Sequence, residues 1–360
     1  MSLLQSSRID FGRPTGIVRL RRGALSQRLD LKSLSLATLL LVIALAIALV
    51  TLASGEFPVP VPEVVGALFG QATARVHMVV VEWRLPRTSL ALVMGAALAV
   101  SGAIFQSLTR NPLGSPDVIG FDSGAYTGAL IVIILFKGGF YAVAGGALMG
   151  GMVTALLVYA LAWRGGVQGF RLIIVGIGLS AMLSSFNAYM LLRADLEVAM
   201  AASIWGVGSL NGMSLERLAQ VSAILAILSP AVFFIARPMR QLEMGDDAAR
   251  SLGVEAERTR LLMTVIAVAL TATVTAATGP IAFVALAAPQ IARRLTGAAG
   301  VALLPSAAAG ALLLATADFL AQRAFAPTQL PVGVVTICLG GLYFAWLLMR
   351  EARGAKESTR

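Results

Sequence analysis

The chain has 360 residues, 58% hydrophobic and only 13% charged, where a soluble domain carries about 25% charged residues. A single cysteine (Cys338) excludes an internal disulfide, and a single histidine (His77) excludes zinc motifs built on a histidine pair. None of the three lysines (Lys32, Lys137, Lys356) follows a glycine, so there is no Walker A loop to bind ATP.

Residues 1–32 form a basic tail, with seven Arg/Lys against Asp10 and Asp30. An apolar run, Leu34–Ala53, follows; its charged leader is too long for a cleaved signal, so it reads as a retained helix. Further apolar segments lie at 88–108, 117–136, 140–162, 170–192, 219–236, 260–278, 281–292, 303–322 and 333–349. A shorter piece, Ala199–Val207, reads as a re-entrant or interfacial helix. The predicted class is therefore all-α and polytopic, with about ten transmembrane helices of ~20 residues each. With the N-terminus inside, 21 of the 28 Lys/Arg fall on inner segments, which places both termini in the cytoplasm. Hydropathy alone leaves the limits of 279–295 open, since two segments there could fuse. The basic ends suit anionic lipid; without interleaved aromatics they do not suit nucleic acid.

Small residues recur at helical spacing in Gly120, Gly124 and Gly128, and again in Gly146 and Gly150, as close helix packing in lipid requires. A shift of 177 residues lays Ser101-Gly102-Ala103-Ile104 on Thr278-Gly279-Pro280-Ile281 and Asn111-Pro112 on Ala288-Pro289, which points to an inverted five-plus-five repeat.

Two regions go beyond hydropathy. Residues 237–260 hold five arginines and five acids, and within them Gly245 and Gly253 bracket a short turn in which Ala248, Ala249 and Leu252 form a small apolar knob. That pattern fits docking on a partner better than a solvated loop. On the predicted outer face, Arg84 and Arg87 lie three apart; they either meet a partner carboxylate or snorkel to headgroups. Asp122 and Asp318 are the acids well inside predicted segments, where an ionisable group is a functional candidate. Asp122 also has the position of a helix cap ahead of Ser123 and Gly124.

Four stretches carry a resemblance: Arg84-Leu85-Pro86-Arg87 running through Ser101-Gly102 to Asn111-Pro112-Leu113-Gly114; Glu243 to Val254; Gly279-Pro280-Ile281-Ala282-Phe283-Val284 with Ala288-Pro289; and Gln329-Leu330-Pro331-Val332-Gly333. In order and spacing these resemble the permease family of ABC importers for iron-siderophores and cobalamin, and look most like its ferric enterobactin subgroup. The resemblance implies a transmembrane permease domain over 33–350 between cytoplasmic tails 1–32 and 351–360. It implies no catalysis by this chain and no cofactor or metal of its own, with ATP and Mg bound by partner ABC subunits. It assigns Met244, Gly245, Asp246, Asp247, Ala248, Ala249, Leu252, Gly253 and Val254 to the ATPase-coupling helix. Arg84, Arg87 and Arg323 it assigns to docking a periplasmic or lipid-anchored siderophore-binding protein, although Arg323 falls one place late and Gln322 takes the expected slot. It also implies a second permease subunit, a bacterial inner-membrane location, and a path near Arg171–Arg193. The family often has His after Ala-Pro, where this chain has Gln290. The rival class is a proton-coupled secondary transporter working through Asp122 or Asp318.

Overall fold

The computed structural model describes residues 4–6, 15–19, 26–117, 119–163, 169–298 and 300–358. Most of the basic N-terminal tail, Arg164 of the predicted inner set, and the last two residues of the C-terminal tail lie outside the described residues.

The described part of the tail departs from an all-helical reading. Leu4–Ser6 (β1), Thr15–Arg19 (β2) and Ser26–Asp30 (β3) form an antiparallel meander in the order β1-β2-β3. Thr15, Ile17 and Val18 of the middle strand are β-branched, which suits a pleated ribbon. Asp30 then ends the ribbon and caps the first helix, accepting from the Lys32 amide at 3.0 Å and the Ser33 hydroxyl at 2.9 Å.

Helices make up nearly all the rest: α1 (Leu31–Ala53), α2 (Val61–Leu68), α3 (Ala74–His77), a π-helical turn (Met78–Arg84), α4 (Leu85–Thr109), α5 (Phe121–Leu135), α6 (Phe140–Ala162), α7 (Gly169–Arg193), α8 (Leu196–Trp205), α9 (Leu215–Glu243), α10 (Asp246–Ser251), α11 (Ala256–Thr278), α12 (Val284–Thr296), α13 (Leu303–Arg323) and α14 (Val332–Ser358). Each apolar segment read from the sequence contains a helix, although those drawn from 117 and 281 become helical only at Phe121 and Val284. Among the described residues, seven helices are long and apolar enough to cross a membrane: α1, the continuous run Ala74–Thr109, α6, α7, α9, α11 and α13. α5, α8 and the apolar part of α14, Val332–Trp346, are shorter. α12, with 13 residues, rises only ~20 Å against a ~30 Å hydrocarbon core. α14 continues through the region predicted as a C-terminal tail, because Glu351, Ala352, Arg353, Ala355 and Lys356 are good helix formers.

The 279–295 ambiguity resolves into two helices. Gly279 (φ +77°) and Pro280 end α11, and Phe283 turns left-handed (φ +69°) before α12 begins. The amide of Phe283 donates to Asp117 Oδ2 at 3.2 Å, which ties this break to the loop after α4. At the same level Ser209 N donates to Thr278 O (2.8 Å) and Gly333 N to Gly208 O (3.1 Å). The end of α11, the turn after α8 and the start of α14 thus share backbone bonds where no regular helix could satisfy them.

α4 is the central helix, packed by α13, α11, α12 and α9, whereas α7 leaves most of its surface uncovered. Its closest crossings are made by glycine. A Cβ on Gly95 would strike the Gly310 carbonyl of α13, and one on Gly102 the Ala285 carbonyl of α12. Gly124 and Gly128 of α5 meet Gly146 and Gly150 of α6 in the same manner, as their spacing predicts. Side-chain amides complete the α4–α12 seam. Gln106 donates to Leu286 O at 3.0 Å and Gln290 donates to Pro112 O at 2.8 Å. The residue in the family's histidine position therefore clamps the Asn111-Pro112 turn.

Candidate functional site: the two ends of α4

Both candidate regions are attached to α4, at opposite ends. Arg87 lies in its first turn and Arg110 just past its last, so at 1.5 Å per residue they are roughly 35 Å apart.

At the first end, the π-helical turn feeds directly into Pro86 at the helix start, and Arg84 and Arg87 project from that junction. Arg84 donates to the Leu52 carbonyl (2.8 Å) and the Phe57 carbonyl (2.6 Å), so it binds the last turn of α1 and the loop that follows. Its guanidinium lies across Gly55, where any side chain would collide with it. Arg87 makes a bidentate pair with Asp318 of α13: Nε–Oδ1 2.9 Å and Nη2–Oδ1 2.8 Å, with Nε–Oδ2 at 3.2 Å. Its remaining nitrogen, Nη1, donates to Gln329 Oε1 at 2.7 Å. Gln322 Nε2 donates to Asp318 Oδ2 at 2.7 Å, so the residue in the slot expected for a third arginine serves the same carboxylate. Arg323 reaches Ser54 Oγ at 3.1 Å, and its buried Nε has no hydrogen-bond partner. The three arginines, with Trp83, Glu56 and Gln329, border an open cavity of about 290 Å³.

At the second end, α10 is set off by Gly245 (φ +112°) and Gly253 (φ +82°), backbone conformations that side chains disfavour. Asp246, at its start, receives Arg110 Nη2 at 2.6 Å and Arg260 Nη2 at 2.6 Å. Arg260 also pairs with Glu257 at 2.7 Å, and Arg110 Nη2 donates to Leu242 O at 2.8 Å. The hydrogen bond from Arg260, reinforced by Arg110, holds the Asp246 carboxyl below the usual carboxylate range.

The structure revises the expected knob. Ala249 is fully buried and belongs to the main core, while Met244 and Leu252 are 62% and 56% exposed. Asp247 and Gly253 are also exposed; Ala248 and Val254 are half-buried. In a helix of this length one face must pack on the body, and the smallest side chain takes it. The available apolar surface is therefore Met244 and Leu252, and Ala249 anchors it from below.

Asp122 is not the cap that its position implied. α5 begins at Phe121 after Gly120 (φ +91°), and Asp122 sits in the first turn with a buried Oδ1 lacking a partner. Asp318, the other acid singled out, is engaged by Arg87. Arg110, Arg260 and Gln329 were not singled out as site residues. A signal existed for Arg110 as the lone charge in its predicted inner loop.

The chain is similar to known transport proteins over most of its length. The profile of the FecCD transport family matches residues 39–350. The ferric enterobactin transport system permease protein of Escherichia coli K12 is 53% identical over 302 residues, covering 84% of this chain and 92% of that protein. The iron(3+)-hydroxamate import system permease protein of Bacillus subtilis 168 is 37% identical, with the same two coverages, 84% and 92%. Among solved structures, a metal-chelate type ABC transporter in an inward-facing conformation superposes with a TM-score of 0.78 at 26% identity, covering 88% of this chain and 99% of that one.

Proposed function

From the premise that the chain belongs to the FecCD transport family, we propose that it is the permease subunit of an ATP-driven importer for a ferric catecholate siderophore of the enterobactin type. The observation that carries the substrate class is the 53% identity to the enterobactin permease over nearly its whole length. In this reading ten helices cross the bacterial inner membrane, both termini are cytoplasmic, and the halves form an inverted five-plus-five repeat. The contact of the Ser101–Asn111 region with α12 supports that pairing of halves. A second, different permease completes the pathway, with α7 as the helix most open to it.

The arginine cavity receives a siderophore-binding protein, while the exposed Met244 and Leu252 of the α10 region insert into the ATPase subunits. The latter hold ATP and Mg and perform the hydrolysis. This chain binds no nucleotide and does no chemistry on the siderophore; it supplies a path and transmits the ATPase movement. Membrane lipid covers the remaining apolar faces.

The test is uptake of ferric enterobactin by proteoliposomes holding the assembled complex, with binding protein outside and ATP inside. Uptake should require both, and this chain purified alone should hydrolyse no ATP. Uptake that persists without ATP and collapses with a protonophore would instead establish proton coupling.

A further inference from the structure

At the outer cavity the three arginines are not equivalent. Arg87 is charge-neutralised by Asp318, whose carboxylate is almost wholly buried and already holds two nitrogens of Arg87 and the amide of Gln322. With every strong donor direction satisfied, that carboxylate has no reason to leave, and it fixes the guanidinium plane. Only Nη1 points elsewhere, and its acceptor is the exposed side chain of Gln329. Arg84 and Arg323 have no acid partner among the described residues; they bond to backbone carbonyls and a serine hydroxyl.

We infer that Gln329 is a displaceable stand-in for a docking carboxylate: its amide oxygen occupies Nη1 of Arg87 until an acidic side chain of the siderophore-binding protein replaces it. The inference rests on the docking reading above and adds how the site is kept ready.

The exchange is chemically favourable in one direction. On the guanidinium the amide oxygen makes a bond ionised on the donor side alone; a carboxylate oxygen adds the opposite charge and the option of a second parallel bond, so it is the stronger acceptor. Arg84 and Arg323, neither ion-paired among the described residues and opposed at the cavity wall by Glu56, leave a net positive charge that draws the acid in, and Arg87 supplies a pre-aimed donor. Gln329 sits in the connection between α13 and α14 rather than on a helix, so its side chain can turn away without breaking regular structure. Before docking it spares Nη1 from being left unpaired at the half-buried cavity wall. The same logic explains why a neutral amide suits the position. A glutamate there would form a permanent internal pair and close the site.

The experiment measures binding of the cognate siderophore-binding protein, loaded with ferric enterobactin, to the full complex in nanodiscs. Gln329→Glu is expected to weaken binding at least about tenfold at low salt, since a tethered carboxylate competes for Nη1. Gln329→Ala should bind as tightly as wild type or tighter, because the competitor is removed. Thermal unfolding of both variants, recorded in parallel, should remain one cooperative transition and thereby certify folded protein. If both variants lose binding, Gln329 is a direct contact and not a stand-in. If Gln329→Glu binds normally, the inference also fails. A separate variant, Arg84→Gln with Arg323→Gln, isolates the underlying reading. Unchanged binding there means the partner does not dock at this cavity, whereas weakened binding with a normal Gln329→Glu overturns the stand-in alone.

Discussion

The two ends of α4 use the same chemistry, an arginine on an aspartate at close to the same distance, in opposite solvation. Arg87–Asp318 (2.8 Å) has side chains 11% and 2% exposed; Arg110–Asp246 (2.6 Å) has 47% and 35%. Distance does not rank them, but water does. A buried pair costs several kcal/mol when one partner is lost, because the survivor keeps its charge without its solvation. A solvent-exposed pair contributes about 0–1 kcal/mol and is screened by salt. The first end is thus a fixed frame, and the second is a more solvated set of links, with Asp246 shared between the exposed Arg110 and the more buried Arg260, holding a small helix. That difference matches what each end is proposed to do: present a pre-aimed donor outside, and follow a moving ATPase inside.

The largest effect expected from this contrast is at Asp318. Asp318→Ala should destabilise the protein by roughly 3–5 kcal/mol, read as a fall in thermal unfolding temperature in detergent. Replacing both partners, Arg87→Met with Asp318→Leu, should recover most of that loss, since neither leaves a buried charge. A loss below about 1 kcal/mol for the single change would place this pair on the same footing as the exposed one and remove the contrast.

Next comes Ala249, which anchors the second end from below. Ala249→Arg forces a long cation into space filled by a methyl group, so overpacking and desolvation should cost at least about 2 kcal/mol locally. Amide exchange across 244–254 should accelerate strongly in this variant. Protection equal to wild type would mean that the helix presents Ala249 to the solvent side after all.

Smaller again is the effect at Asp246. Its folded pKa lies below its unfolded value of about 3.9, so its contribution is complete above that value and is lost as pH falls through the lower, folded one. Exchange protection of α10 should therefore be flat from pH 5 to 8 and decline only in more acidic buffer. Asp246→Asn should abolish that acid-side decline and lower protection by no more than about 1 kcal/mol, less at high salt. A decline centred near neutrality would contradict the assignment to this carboxylate.

These residues also mark how far the sequence could be read. The apolar segments were legible because hydropathy and helix length answer to one solvent, the bilayer. The break after residue 278 was drawn from the sequence, but its extent to Phe283 was not, because the left-handed backbone angle there is one that hydropathy does not register. Arg84, Arg87 and the 245–254 turn stood out through charge and glycine placement. Asp318 stood out as well, but its pairing with Arg87, and that of Gln329, did not, since both lie more than 200 residues away and pairing across that distance is a property of the packed bundle. The inward turn of Ala249 was hidden for a related reason: Ala248, Ala249 and Leu252 are equally apolar in sequence, and only contact with the body separates them. The short strands before α1 were hidden because basic residues dominate that stretch and only Thr15, Ile17 and Val18 of the middle strand are β-branched.

The smallest effect on stability, and the most informative on function, is expected at Leu252. Its side chain is 56% exposed, so Leu252→Arg removes little buried area and should change unfolding by no more than about 0.5 kcal/mol. The same charge would enter the apolar contact that a coupling helix makes in a partner cleft, where an unpaired cation is costly. Insertion, folding and outer docking should therefore remain, while co-purification of the ATPase subunits or ATP-driven uptake falls sharply. Met244→Arg, also at an exposed apolar side chain, should act alike, and Arg250→Ala, at an exposed charge, should act weakly. The pairing of results is what discriminates: Ala249→Arg loses coupling by unravelling the helix, and Leu252→Arg loses it with the helix intact. If Leu252→Arg transports at the wild-type rate with full ATPase association, the exposed face of α10 is not the docking surface. The half-exposed links around Asp246 would then hold a helix that touches no partner.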